Sequence, residues 1–359
     1  MIGTATARAA TVPGRTATRG GGWAEALRAE APIIAIAWGY IGAIFLIDAL
    51  VVSHRDVIVF SSGDWPVVYS TLITIAAPLT MLGLMRQGHS MGRRHTWSLF
   101  FARLTPTVIV RWIVGCSLFW PFLDAFGWVK SRIPIVNPYP WDSTFARIDA
   151  ALHFGRQPWE WTAVIFPGAT SVRVLDWSYG PGFFAAMLGL LFWTALVDRN
   201  HTRRLQVLVT YLLIWIVLGS VLAMVFASVG PCYYGRWLTT AADPFAPLMT
   251  ELWRYDAANP LIAVTAQNHL WAGFLEQTTP YGVSAMPSVH VGIGAWVGFG
   301  LWRTRMRIAG LLFAILTLLG SVRLGWHYAI DGYFSIAIVA VLWWLVGRFA
   351  ARWTRPSAA

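Results

Sequence analysis

The stretch from Pro287 to Gly347, PSVHVGIGAWVGFGLWRTRMRIAGLLFAILTLLGSVRLGWHYAIDGYFSIAIVAVLWWLVG, decides how the chain is read. It holds three apolar runs, and its polar residues are gathered rather than scattered. Pro287, Ser288 and His290 open the first run, while Arg323, His327 and Asp331 follow one another at four-residue intervals between the second and third. An ionisable side chain at the mouth of an apolar segment is costly unless it faces a polar cavity or a partner, so such a cluster marks a functional site by default.

Composition agrees with that reading: 57% of the 359 residues are hydrophobic, 12% are charged, and there are 22 Trp. Hydropathy predicts an all-α polytopic membrane bundle of about eight spans, roughly 32–53, 65–85, 104–127, 175–197, 205–229, 287–302, 308–326 and 329–347. Lys and Arg (27) outnumber Asp and Glu (16), but the arginines stand in short clusters between apolar runs, which speaks for membrane orientation and against a nucleic-acid partner. Arg86, Arg93, Arg94 and Arg103 follow the second span, and Arg199, Arg203 and Arg204 the fourth. Arg303, Arg305 and Arg307 follow the sixth, and Arg348, Arg352 and Arg355 the last. Every even-numbered exit is therefore arginine-rich, which predicts cytoplasmic termini and a polar cluster on the opposite face, the periplasmic side of an inner membrane in a bacterium.

The segment 1–31, with Arg8, Arg15, Arg19 and Arg28 and no acidic residue before Glu25, reads as a cytoplasmic tail, as does 348–359. Cys116 and Cys232 give neither a metal-type spacing nor a disulfide framework.

The chemistry follows from spacing. His327 and Asp331 would share one helix face, so the carboxylate can hold one imidazole nitrogen and leave the other to act as a nucleophile. Arg323 would lie a further turn back if the helix runs through Gly325, and its planar guanidinium suits a phosphate. Pro287 suits the first turn of a helix, where Ser288, Val289 and His290 would present free amides and a favourable dipole to an anion. A third element, Gly230-Pro231-Cys232-Tyr233-Tyr234-Gly235-Arg236, offers Arg236 and Tyr233 or Tyr234 to the same cavity. Lys130, Arg132, Asp142 and Asp149 are weaker candidates, the two aspartates reading equally as loop-stabilising groups. Two long connections, 128–174 and 230–286, are rich in Trp, Tyr and Pro. Trp237, Trp253, Trp271 and Phe274 in the second predict an aromatic lid over the site.

These motifs resemble the type-2 phosphatidic acid phosphatase superfamily. Pro287-Ser288-Val289-His290 is similar to its Pro-Ser-Gly-His signature, and Arg323 with His327 and Asp331 to the signature in which Arg precedes His-x-x-x-Asp. The Gly230–Tyr234 element and the Gly325–Asp331 run most resemble the branch of inositolphosphorylceramide synthases and their bacterial relatives. Val289 replaces the signature glycine, Arg323 stands four rather than six residues before its histidine, and a Lys-x6-Arg-Pro signature is missing.

The resemblance implies a six-helix core over 104–347, with 32–103 as two additional helices, and a metal-independent enzyme with no cofactor acting on a lipid phosphate. It further implies that His327 attacks phosphorus to give a phosphohistidine, that Asp331 orients it, and that His290 protonates the leaving group. Arg323, Ser288, Arg236 and Tyr234 would bind the phosphate. A lipid or prenyl phosphate phosphatase is the simpler variant. A proton- or ion-coupled transporter is the rival from another class, although spans six and eight turn almost wholly apolar below their outer ends. A metal triad of His290, His327 and Asp331 is a further rival.

Overall fold

The computed structural model describes residues 22–51, 105–239, 242–276 and 282–355. The tail up to residue 21, the span expected at 65–85, the arginines 86–103 and the last residues 356–359 lie outside them.

The described residues form helices and contain no strand. In chain order these are α1 (Trp23–Val51), α2 (Pro106–Val136), α3 (Asp142–Leu152), α4 (Pro158–Ile165) and α5 (Gly168–Trp177). Next come α6 (Phe183–Phe192), α7 (His201–Val225), α8 (Tyr234–Trp237), α9 (Ala246–Ala258) and α10 (Ile262–Leu275). The chain closes with α11 (Val289–Leu301), α12 (Arg307–Arg323) and α13 (Ala329–Trp353). Among the described residues, three helices are long and apolar enough to cross a membrane by length and composition: Trp23–Leu50, His201–Val225 and Ala329–Trp353. The all-α membrane fold expected from the sequence is the one observed. Helix α1 begins at Trp23, inside the stretch read as a tail, because Glu30 is paired within the bundle with Arg204. Hydropathy counts such a residue as a break, whereas a partner makes it tolerable.

Helix α11 is the hub, packing against α6, α7, α12 and α13. Nine of its residues are buried. Close approach depends on small residues, since lipid and side chain are equally apolar and association rests on packing. A Cβ at Gly292 would come within 2.7 Å of Leu218 Cδ1. Leu311, Leu312 and Ile315 of α12 and Val341, Trp344 and Leu345 of α13 point outward and exposed, as suits helices whose solvent is hydrocarbon.

Two rods are locally widened. Ser178–Gly182 between α5 and α6, Trp193–Val197 after α6 and Ile214–Leu222 within α7 have π-helical hydrogen bonding. Pro181 in the first of these has no N–H to give to the helix ladder. Such bulges re-aim side chains and recur at functional sites; here the first carries Tyr179.

Candidate active site

A cavity of about 430 Å³ opens at the end of the bundle where α11 begins. Lys130 of α2, Tyr179 of the π-helical turn, Cys232 and Tyr233, the segment from Gly282 to Ala285, Pro287, His290 and His327 all line it. Phe126, Trp215, Ile262, Ala266 and Leu270 supply much of its apolar wall.

The two histidines arrive by different routes. Ser288 is the N-cap of α11, its hydroxyl accepting from the Val291 amide at 3.2 Å, so Pro287 precedes the helix rather than occupying its first turn. Capping consumes the Val291 amide; those of Val289 and His290 have no hydrogen-bond partner among the described residues. The His290 ring packs against Tyr179, stacked at 4.9 Å between centroids, and against Phe183, tilted at 4.4 Å. These two aromatic contacts hold the ring without using a nitrogen.

His327 lies in a loop. Helix α12 ends at Arg323, and Gly325 turns the chain at φ +74°, a conformation natural to glycine. The amides of Trp326 and His327 both donate to the Ser321 carbonyl, at 3.0 and 3.1 Å. Asp331 sits in the first turn of α13, where its Oδ2 accepts from the Tyr328 amide at 3.1 Å and lies 3.3 Å from His327 Nδ1. The pair thus forms as the spacing suggests, but through the cap of α13 and not along one helix face. The Ala285 carbonyl also bears on the imidazole.

Of the other expected groups, Lys130 and Tyr233 line the cavity, whereas Arg323, Ser288, Arg236 and Tyr234 do not. Arg323 is fully buried with Nη1 2.9 Å from Glu251 Oε2 and Nε donating to the Phe166 carbonyl at 3.3 Å. The helix break at Gly325 separates it from the face of His327. Glu251 is in the outer helix α9; burial works against its charge, but hydrogen bonds from Arg323 and Tyr255 and the Arg323 charge prevail and hold its pKa below the ordinary glutamate value. Arg236 is exposed, donates to Asn268 Oδ1 at 3.2 Å and lies over the rings of Trp253 and Trp271. Tyr234 is buried against Phe245. Ser288 has its hydroxyl in the cap.

Sequence reasoning underrated α3. Asp142 accepts from the amides of Val229 and Gly230, at 2.9 and 3.0 Å, and from the Tyr328 hydroxyl at 2.7 Å. Asp149 accepts from the amides of Ala329 and Ile330 at the start of α13. One short helix therefore clamps the Gly230 turn to the His327 loop. Gly230 itself is at φ +86°, where a Cβ would come 2.8 Å from the Trp326 carbonyl, and the Cys232 amide donates to the Gly325 carbonyl at 2.8 Å. Tyr179 and Glu251 gave no signal in the sequence, since their neighbours are distant in the chain.

The connection 230–286 does sit over the cavity: α10 contributes Ile262, Ala266 and Leu270 to its wall, while Trp271 stacks on Tyr233 at 5.0 Å and Phe274 packs against Trp237 and Tyr139. Among the described residues no three His, Cys, Asp or Glu side chains form a group able to hold a metal ion.

A helical membrane bundle that presents a carboxylate-held imidazole and a second imidazole to one apolar cavity is the architecture of a membrane-embedded phosphatase. The chain belongs to the PAP2 superfamily, whose profile matches residues 143–345, more than half of its length. Members of that superfamily are phosphatases. No curated protein and no solved structure matches the chain.

Proposed function

We propose that the protein transfers or hydrolyses a lipid-linked phosphate through a phosphohistidine on His327, in the manner of the inositolphosphotransferases. The 3.3 Å contact of His327 Nδ1 with Asp331 Oδ2 at the cavity wall carries this reading. With Nδ1 protonated and donating to Asp331, the lone pair of Nε2 attacks phosphorus. The bond from phosphorus to the leaving oxygen breaks, and His290 gives that oxygen its proton. In the second step water or an alcohol attacks the phosphohistidine, His290 takes the incoming proton, and cleavage of the P–N bond restores His327. Imidazoles suit both tasks because their proton affinity lies near neutral pH, and different neighbours hold them in different roles. No metal ion enters this chemistry, and chelators are expected to leave it untouched.

Depth and sidedness have their own support. The cavity lies at the N-terminal end of α11 and the cluster Arg303, Arg305 and Arg307 follows its C-terminal end, so the arginine bias that orients membrane proteins supports a site on the outer face. Helix α11 has 13 residues and rises only about 20 Å, less than the ~30 Å of a bilayer core; a site at its start thus lies below one surface, within reach of a lipid headgroup.

The test is incubation of the purified protein with isotopically labelled phospholipids and prenyl phosphates, with and without ceramide or another alcohol, followed by acid-labile, base-stable labelling of the polypeptide. Label on the wild type and none on His327→Ala is expected. A His327→Ala protein that labels and turns over like wild type would remove the nucleophile. Cysteine at Thr304 should resist an impermeant thiol reagent in spheroplasts while cysteine at Asn259 reacts.

A further inference from the structure

The turn between α3 and α4 carries an apolar surface with no cover among the described residues. Phe154 stands at its tip, 92% exposed, with φ +61° in the left-handed region that bulky side chains avoid. Leu152 before it and Trp161, Val164 and Ile165 of α4 are exposed as well. Yet the turn is tightly held. The Gly155 amide donates to the Ala150 carbonyl at 2.8 Å, and the Gln157 side chain donates to the Ala146 carbonyl at 3.1 Å. A backbone outlier of this kind persists only where its surroundings over-determine it, and here they aim a phenylalanine outward. The free charges are of one sign. Arg147 and Arg156 are exposed, the latter lying over the Trp161 ring at 5.6 Å, whereas Asp149 and Glu160 are occupied by backbone amides.

We infer that the α3–α4 hairpin is a lipid-docking surface, which sets Phe154 and its apolar neighbours among the acyl chains of the nearer leaflet and its arginines at the lipid phosphates. Depth carries the inference. His153 Nδ1 donates to the Asp149 carbonyl at 2.7 Å, which leaves Nε2 to accept from the Tyr333 hydroxyl at 2.9 Å. Tyr333 belongs to the membrane-crossing helix α13, whose Arg348 and Arg352 belong at the far surface. Along the helix axis those arginines stand only about 22 and 28 Å from Tyr333, short of the ~30 Å of a bilayer core. The contact therefore keeps the turn at or below the nearer headgroups and out of open water. Helix α4 also packs against α12, so the hairpin continues the outward apolar surface that α12 and α13 present. An arginine over a tryptophan suits that level, the ring at the hydrocarbon boundary and the guanidinium reaching a phosphate. The same helix α3 clamps the His327 loop through Asp142 and Asp149, so docking fixes the height of the cavity mouth against the headgroups. The inference stands apart from the phosphoryl-transfer reading.

The experiment attaches a nitroxide to Phe154→Cys in the full chain, reconstituted in vesicles of phosphatidylcholine with phosphatidylglycerol. Collisions are read with oxygen, which concentrates in lipid, and with a nickel chelate, which stays in water. The unsubstituted chain treated alike gives the background of the native thiols, and Asn259→Cys, just after α9, is the aqueous reference. The Phe154→Cys label is expected about 5–10 Å below the phosphates, with a Val164→Cys label also shielded from the chelate. Adding Phe154→Asp to Val164→Cys should shift that label towards water. Should Phe154→Cys fail to fold, Leu152→Cys takes its place. A hairpin label as open to the nickel chelate as the Asn259→Cys label would overturn the inference. So would a label closed to both reagents, the mark of a protein surface such as a second copy of the chain packed over the hairpin. None of these readings involves turnover, so the His327 chemistry can fail without them and they without it.

Discussion

Two groups of buried charge lie at opposite ends of α2 and α7 and are built on opposite rules. At one end Glu30 faces Arg204 and Arg111, Arg203 pairs with Asp198 at 3.2 Å, and Arg111 also reaches the Asp198 carbonyl and His201. Every charge there meets an opposite one, and the result ties α1 to α2 and α7. At the other end Lys130 has no partner among the described residues, and His290 is held by rings rather than by hydrogen bonds. Only His327 has a carboxylate. A closed network stabilises, whereas an open one retains binding capacity for something absent. Perturbed, unpaired groups in a cavity mark function for that reason.

The contrast can be broken most severely at the open end. His327→Ala should lower turnover by roughly 10⁴-fold or more with the protein still monodisperse in detergent, because it deletes the proposed nucleophile and little packing. His290→Ala should fall by about 10²–10⁴-fold on lipid substrates yet recover most of its rate on esters with good leaving groups. Equal losses on good and poor leaving groups would deny His290 the role of acid.

The closed end should answer in stability. Glu30→Gln leaves Arg204 buried without its counter-charge and is expected to cost about 3–5 kcal/mol, read as a lower midpoint of thermal unfolding, with kcat per folded molecule unaltered. A drop in kcat without loss of stability would erase the distinction between the two ends.

Glu251 lies between these extremes, since its Arg323 partner is buried but its own carboxylate is a quarter exposed. Glu251→Gln should cost about 1–3 kcal/mol, less than a fully buried pair. Its pKa is held below the unfolded value, so the pair's contribution is fully present above the unfolded glutamate pKa and is lost as pH falls through the folded one. Thermal midpoints of the wild type and Glu251→Gln should therefore converge on acidification below about pH 4.5. Midpoints that stay equally separated would show the ion pair to be idle.

The smallest expected effect concerns the aromatic cover. Trp271→Ala with Phe274→Ala should loosen α10 over the cavity and raise the ratio of hydrolysis to alcohol transfer a few-fold, by admitting water to the proposed phosphohistidine. Proportionate loss of both rates would leave the cover a structural part only.

What the sequence by itself determined was what depends on neighbours along the chain. Apolar run length announced a helical membrane protein, and the four-residue step from His327 to Asp331 placed those two side chains together. Even that step was read through the wrong geometry, since the pair closes across a helix cap and Gly325 ends α12 before it. Tertiary structure alone decided which cation faces the cavity. Arg323 is near His327 in sequence, but a helix break and the approach of Glu251 from α9 turn it away, whereas Lys130, far off in the chain, is brought in by α2 and admitted by Gly282. The same holds for Asp142 and Asp149, whose acceptor oxygens find amides of α13 and of the Gly230 turn only after the bundle has closed. Periodicity encodes the face of a helix, but which charge remains without a partner is settled by the contacts of every other helix.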